Sequence, residues 1–514
     1  MSKKIFKLAI LLMHFYGFAQ VPNIEWQKSL GGTSYEYGVS IKQTSDGGYI
    51  VGANASSTNG DVTGLHGGYD YWIIKLNSLG AIQWQRCYGG SGADQLNDLK
   101  QTADGGYIAL GTSNSTNGDV TGNHGLYDAW VLKISNSGTI EWQKSFGGLA
   151  YDLVHRICQT SDGGYIFSGE TSSIDGDFSV LHGSSDSWIV KLSNTGEQEW
   201  QKLLGGIDEE IGQSIQQTTD GGYILTGSTG SNDGDISGHH GSVGNWDYWV
   251  VKLSSLGLIE WQKALGGDGS DQAYSITQSL DGSYVVVGFT QSVDGDITVN
   301  HGNADYWVIK LSNAGDIIWQ KTFGGSNNES AVDVHQTSDG NFIISGNTLS
   351  NDGDLTANNG LEDVWTIKIS DAGVLLWQKS IGGSDADTNI NIEQTLDGGC
   401  IMIGRSQSND GDVSGNHGGQ DAWIVKLSSD VLNVNSYSDK KINLYPNPAT
   451  FTLNIQNLPN INIEKITVKD LTGKEVIVQS APCNQLNVEN LQKGVYLLEL
   501  DFEEGKQIEK FIKE

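Results

Sequence analysis

The sequence predicts an all-β fold, a closed ring of seven four-stranded sheets with a small β-sandwich behind it, and three observations predict it. First, one unit recurs seven times: its WQK triplet carries Trp26, Trp84 (as WQR), Trp142, Trp200, Trp261, Trp319 and Trp377, spaced by 58 residues except for 61 between Trp200 and Trp261. Second, each unit holds four β-rich segments joined by short turns and one longer loop. Third, the array opens with a lone copy of the segment that is missing at its end.

The sixth repeat sets the pattern. Its strand-like segments are 331–337 (a), 341–348 (b), 364–370 (c) and 374–381 (d). Strands a and b are joined by Asp339-Gly340, and the same Asp-Gly pair stands in every copy, from Asp46-Gly47 to Asp397-Gly398. Aspartate followed by glycine supplies the positive φ of a tight hairpin turn. Strands c and d are joined by turns such as Asn313-Ala314-Gly315. Sequential hairpins give an antiparallel meander, and a meander of this length suits a radial blade better than a unit of an open solenoid. The lone d segment, 24–30, precedes any a strand, and the last c segment, 422–428, has no WQK segment after it. The orphan should complete the seventh blade, because pairing it removes two exposed edges at once. The expectation is a seven-bladed β-propeller closed by its N-terminal strand.

Composition agrees with a repeat array. The chain has 514 residues with 69 Gly but only 5 Pro, and the glycines recur at turn positions. A net charge of -31 makes nucleic acid and anionic membranes poor partners and cations or basic ligands better ones. Cys87, Cys158, Cys400 and Cys483 lie far apart, with neither a disulfide framework nor a zinc spacing. Residues 1–19 read as a secretory signal: Lys3, Lys4 and Lys7 precede an apolar run that ends near the small residues Gly17 and Ala19. No stretch reaches membrane-spanning length. The ring occupies 20–429, a polar linker 430–441, and a strand-rich tail punctuated by Gly473 and Gly494 fills 442–514.

In that tail stand Tyr445-Pro446-Asn447-Pro448, Asp470-Leu471-Thr472-Gly473-Lys474, Asn490-Leu491-Gln492-Lys493-Gly494-Val495-Tyr496 and Lys510-Phe511-Ile512-Lys513. Their order and terminal position resemble the type A C-terminal sorting domain of the type IX (Por) secretion system, with Glu514 as an added last residue. The resemblance implies a Gram-negative cargo carried across the inner membrane by its signal and across the outer membrane by the tail. The secretion machinery is then a partner, and the mature protein is extracellular or on the outer cell surface. The repeats also resemble Trp- and DGGY-containing propeller repeats on such cargo, a likeness that names no activity.

Candidate sites follow from what recurs and from what does not. Four residues past the Gly-Gly after strand d stand Glu36, Asp94, Asp152, Glu210, Asp271, Glu329 and Asp387, read as a ring of acids at the channel mouth. The alternative is one hydrogen bond per blade to a neighbouring loop. The b–c loop of repeat seven places oxygen side chains at positions one, three, five and twelve (Asp410, Asp412, Ser414, Asp421), a spacing that resembles an EF-hand calcium loop. The same pattern gives Asp61 and Asp70, Asp119 and Asp128, Asp177 and Asp186, Asp296 and Asp305, and Asp354 and Asp363 as candidate metal ligands. Against calcium, position twelve is Asp rather than Glu and the central glycine is absent from three repeats, so capping of loop amides stays open as the alternative. Loop histidines occur once per blade, which does not assemble a zinc site. The lysines of strand c, Lys75 to Lys426, read as solvated or paired on the blade surface.

Repeat four breaks the pattern, with a three-residue insertion within 242–246 and an extra tryptophan, Trp246. Trp246, Asn245, Asp208, Glu209 and Glu210 are therefore the candidate ligand-binding set on the loop face. No catalytic residue is singled out. The functional expectation is a non-enzymatic secreted or surface propeller that binds glycan or protein. Its alternatives are a polysaccharide hydrolase or lyase with carboxylates at the channel mouth, and a structural adhesion or surface-layer component.

Overall fold

The structure is a computed structural model and describes residues 20–178, 180–242, 244–430, 443–456, 463–470, 474–480, 485–502 and 505–514. The segment 1–19 expected to be a signal, nearly all of the expected linker, and Gly473 lie outside the described residues. The chain divides into two compact units, Met1–Val431 and Leu432–Glu514.

The first unit is the ring. In blade one, strand a is Glu36–Gln43, b is Tyr49–Ala55, c is Asp70–Leu76 and d is Ile82–Tyr88, and the four pair in that order. The next five blades repeat the arrangement, and the sixth has Glu329–Gln336, Phe342–Thr348, Asp363–Ile369 and Leu375–Ile381. The seventh sheet is completed by Ile24–Leu30, which lies antiparallel to Asp421–Leu427 with Leu30 opposite Ala422 and Trp26 opposite Lys426. Closure is as the sequence predicts, and its chemistry is that of every other c–d pair. The indole N–H of Trp423 donates to Gln27 Oε1 at 2.9 Å across 396 residues, just as Trp72 donates to Gln85 at 2.7 Å within its own blade.

Strand a carries a bulge in each blade, for example between Gly38 and Ser40 and between Leu96 and Asp98. The turn after it is more than a two-residue connection. Thr44 N–H donates to Gly48 O at 2.9 Å and Thr44 O accepts from Gly47 N–H at 2.8 Å, and the Gly47 φ of 79° is the left-handed region that glycine tolerates.

Packing between blades comes from the tryptophans. Those of strand c, such as Trp72, Trp130 and Trp307, are fully buried, and Tyr71 and Tyr248 of one blade lie against Trp130 and Trp307 of the next with ring centroids 4.6 and 4.5 Å apart. Strand-d tryptophans meet the following blade edge-on, as Trp84 does with Tyr107 at 6.3 Å. A ring of glutamines adds a latch: Gln101 Oε1 accepts from Ser45 N–H at 3.1 Å, each blade repeats this, and Gln43 accepts from Leu396 N–H at 2.8 Å to close the circle.

The strand-c lysines correct one expectation. They are buried rather than solvated, and each ammonium reaches the aspartate of its own Asp-Gly turn at 2.8 to 3.0 Å, as in Lys75–Asp46 and Lys368–Asp339. Burial pushes the Asp104 carboxyl up, but the Thr102 hydroxyl, Lys133 and the Gly106 N–H outweigh it and hold it at about 2. The described cysteines are free, and burial pushes the thiols of Cys87 and Cys400 up to about 12.

The second unit sets a three-stranded sheet, Asn443–Tyr445, Thr452–Gln456 and Gln485–Asn487, with a four-stranded one built from Ile463–Asp470, Glu475–Ser480, Gly494–Phe502 and Gly505–Lys513. Leu453, Ile466, Val468, Leu498 and Phe511 form its core.

Candidate functional site

The ring of acids does not face the channel mouth. Glu36, Asp94, Asp152, Glu210, Asp271, Glu329 and Asp387 are buried, at most 1% exposed, which corrects both the channel-mouth expectation and the placing of Glu210 in a ligand-binding set. Each accepts the N–H of the second glycine of its Gly-Gly pair at 2.7 to 2.9 Å, as Glu36 does from Gly32 and Asp271 from Gly267. Most also take hydroxyls from the end of strand b and the residues after it, as Glu210 takes Thr229 at 2.8 Å. The physical reason lies in the glycines. A Cβ on Gly31 would stand 2.6 Å from Asp421 Oδ1 and 2.8 Å from Glu36 Oε2, so the bare backbone lets two carboxylates close over it.

The candidate calcium loops use the same economy of backbone. The position-one oxygen caps the preceding Gly-Gly loop, Ser384 N–H donating to Asp410 Oδ1 at 2.7 Å. At position three, Asp61, Asp119, Asp177, Asp296, Asp354 and Asp412 each accept the first glycine N–H of such a pair, at 2.9 Å for Asp177 and 3.4 Å for Asp412. At position twelve, Asp70, Asp128, Asp186, Asp305 and Asp421 take both the N–H and the ring Nδ1 of the histidine four residues earlier, His66 Nδ1 lying 2.7 Å from Asp70. Among the described residues no three His, Cys, Asp or Glu side chains converge as a metal-holding group. The EF-hand-like spacing here caps loop amides.

Repeat six lacks the histidine. Asp363 keeps only the Asn359 N–H, at 2.6 Å, and its Oδ1 has no hydrogen-bond partner. Burial pushes its carboxyl up to about 6, with the Asn359 N–H opposing and Asp387 adding. A carboxyl raised in the folded state is harmless below its unfolded value and costs stability as pH rises through the folded one. Asp363→Asn should therefore stabilise the ring by up to about 3 kcal/mol at pH 7 and by nothing near pH 4. Melting curves across that pH range check this, and a variant less stable than the parent at pH 7 would contradict it.

Two places break the sevenfold symmetry. The first crowns the channel on the loop face. At five of the seven blade junctions the residue before strand a pairs with the residue before strand c of the preceding blade, giving Tyr35 with Gln420, Ala93 with Tyr69, Tyr151 with Tyr127, Glu209 with Ser185 and Asn328 with Ala304. Trp246 occupies the same position as Tyr69 and Tyr127, and its carbonyl accepts from Asp271 N–H at 2.6 Å. Tyr127 and Tyr151 stack at 6.1 Å with an interplanar angle of 16°, and Tyr35 and Tyr151 are about half exposed. Of the expected set, Trp246 is half-buried and Glu209 exposed, while Asn245 and Asp208 come together around Gly230, whose added Cβ would lie 4.0 Å from Asn245 O and 3.4 Å from Asp208 Cβ. Asn245 Nδ2 also donates to Asp268 O at 2.6 Å. Sequence reasoning missed the tyrosines, although their appearance at a position occupied elsewhere by Ser, Ala or Gln was the signal.

The second place is the turn-side half of the channel, also missed. Ser40, Asp98, Arg156, Ser214, Ser275, Asp333 and Asn391 share one position of strand a, and Lys42, Lys100, Cys158, Gln216, Thr277, His335 and Glu393 share another. The residue between them is always Ile, Leu or Val. Asp98 and Asp333 link neighbouring blades by accepting the N–H of Ile157 and of Ile392, each at 3.1 Å. Burial alone would raise the Asp98 carboxyl, but Lys100, Arg156 and the Ile157 N–H hold it below its usual range.

In the tail, Asn447 joins the last strand, its Nδ2 donating to Lys510 O at 3.2 Å and its Oδ1 accepting from Ile512 N–H at 2.9 Å. Tyr496 stacks on Phe511 at 5.7 Å and donates to Gln492 O, Gly494 pairs with Lys513, and Tyr445 stands half exposed before Pro446 and Pro448. No helix among the described residues is long and apolar enough to cross a membrane.

Residues 443–514 match the family described as the secretion system C-terminal sorting domain. No curated protein matches the chain. Among solved structures, the chain is similar to the WD40 domain of Neurospora crassa Pan2 at 9% identity and a TM-score of 0.43, covering 78% of this chain and 95% of that one. It is also similar to an extracellular domain assigned to a hybrid two-component system of B. thetaiotaomicron, at 10% identity and a TM-score of 0.27, covering 93% and 68%. The tail at residues 443–514 is thus a secretion system C-terminal sorting domain, which makes this seven-bladed, all-β chain a secreted or cell-surface protein with the secretion machinery as a partner.

Proposed function

We propose that the ring is a non-enzymatic binding module that takes a glycan, or failing that a protein, on its loop face around the channel mouth. The observation that carries this reading is the stacked pair Tyr127 and Tyr151, with Tyr151, like Tyr35 at the equivalent position of blade one, half exposed. Flat aromatic faces with a polar edge suit a sugar ring, whose axial C–H groups pack on the π-face while its hydroxyls stay hydrated. Glu209 and Trp246, on the same crown, supply an acceptor and a further aromatic edge. The burial of the seven strand-a acids favours binding over hydrolysis, since a glycosidase needs two carboxyl groups facing one bond. In this reading residues 1–19 are the export signal, 20–429 the binding ring, 430–441 the linker and 442–514 the tail that delivers it.

Retention on immobilised polysaccharides tests the reading with the mature protein. Tyr151→Ala and Trp246→Ala should each weaken retention about threefold to tenfold, the worth of one aromatic contact. Retention that both variants leave unchanged would remove the loop face as the site. Capture of a protein but of no glycan would move the proposal to its second ligand class.

A further inference from the structure

We propose that the turn-side half of the axial channel binds a small hydroxylated carboxylate, such as a free uronate, with Arg156 and Lys100 taking the carboxylate. The site is independent of the loop-face reading: it lies toward the opposite end of strand a and is built from different residues.

The argument starts from which polar groups are occupied. Asp98 accepts from Ile157 N–H at 3.1 Å, from the Ser40 hydroxyl at 3.2 Å and pairs with Lys100 at 3.0 Å. Asp333 accepts from Ile392 N–H at 3.1 Å, the Ser275 hydroxyl at 3.0 Å and Asn391 Nδ2 at 2.6 Å. The acceptors of the channel are therefore engaged within the protein. The donors are not. The Arg156 guanidinium stands 3.9 Å from Asp98 and 3.7 Å from Asp333, within ion-pair range but beyond hydrogen-bond length, and it has no hydrogen-bond partner among the described residues. Gln216 Nε2 is buried with no protein partner either. A buried donor left without an acceptor is costly, as for Gln216 Nε2, and a partly buried guanidinium without one is open to a ligand, so an acceptor-rich occupant is favoured.

Donors and size narrow the occupant. The cavity is lined by Lys42, Lys100 and Arg156 and by Asp98 and Asp333, and Glu393 pairs with Lys42 at 3.1 Å, so the charges balance and recognition rests on the Arg156 and Gln216 N–H donors. His335 adds no charge, because burial, with Lys42 beside it, holds its imidazole near 3. The cavity holds about 160 Å³, equivalent to roughly five waters at ~30 Å³ each, which admits one monosaccharide acid and excludes a chain. Guanidinium and carboxylate are geometrically matched for paired hydrogen bonds. The serine and threonine hydroxyls of blades four and five (Ser214, Thr277) face the same space and suit a polyol.

Titration calorimetry of the full mature protein with glucuronate, galacturonate and lactate, with glucose and inorganic phosphate as comparison arms, tests the proposal. Binding of at least one carboxylate at millimolar concentration or tighter is expected, with glucose silent. Arg156→Gln should weaken it about tenfold or more, the worth of a charge-assisted hydrogen bond. Gln216→Leu, which leaves every charge in place and serves if the arginine variant folds poorly, should weaken it severalfold, while Tyr151→Ala should leave it unchanged. Absence of heat with all three carboxylates, binding that survives both channel variants, or phosphate binding as tightly as any of them would overturn the proposal.

Discussion

A chain lacking residues 20–30 should lose the cooperative unfolding of the ring. The segment supplies the outermost strand of blade seven, six paired residues from Ile24 to Leu30, and the glutamine that holds the Trp423 indole. Without it Asp421–Leu427, buried along its whole length, becomes an open edge. Trp26 also leaves its edge-on contact with Tyr49 at 5.8 Å, so blade one loses packing as well. Loss of both is expected to cost more than about 5 kcal/mol, comparable with the whole stability of many domains. Near-ultraviolet circular dichroism on heating reads it, and a peptide of residues 20–31 added in trans should restore part of the signal. A truncated chain that melts cooperatively within a few degrees of the parent would show that the ring does not depend on its closure.

Trp307→Ala should cost about 3–5 kcal/mol, and Trp319→Ala only about 1–2 kcal/mol, although both tryptophans recur in every blade. Trp307 is fully buried, tilted against Tyr248 at 4.5 Å, and donates to Gln320 at 3.0 Å. Its loss leaves a cavity and frees Gln320, whose Nε2 holds the Thr298 hydroxyl of the b–c loop at 2.6 Å. Trp319 is half-buried, and its indole bonds an exposed carbonyl, Asp371 O, at 3.1 Å. Urea denaturation of the two variants separates them. Equal losses would mean that the two tryptophan rings carry the blade contacts alike.

Much of this was legible because it is local or periodic. Alternation of apolar residues marks strands, Asp-Gly marks the a–b turn, and a missing d segment at one end of the array marks the closing strand at the other. The strand bounds differ from expectation by two residues or fewer in the sixth repeat. What failed was side-chain direction. Asp94 and its equivalents begin strand a beside a loop, which suggests an exposed rim, yet Gly89 and Gly90 let that loop fold over them until Gly90 N–H reaches Asp94 at 2.7 Å. Lys133 sits in the expected alternation of a surface strand, yet the bare Gly106 lets its ammonium cross to Asp104 at 2.9 Å, where an added Cβ would stand 2.6 Å from Nζ.

The sequence by itself determined the number of blades, the order of their strands, the closing segment and the export tail, because each is carried by residues adjacent in the chain or repeated at a constant interval. Only the tertiary structure decided which positions meet: that Tyr151 stacks on Tyr127, that Arg156 faces both Asp98 and Asp333, and that the acids turn inward. The channel groups lie on different blades, and Arg156 and Asp333 are 177 residues apart. No local periodicity encodes such a meeting; it follows from seven sheets packing around one axis, where a single strand position from every blade is brought to the same point.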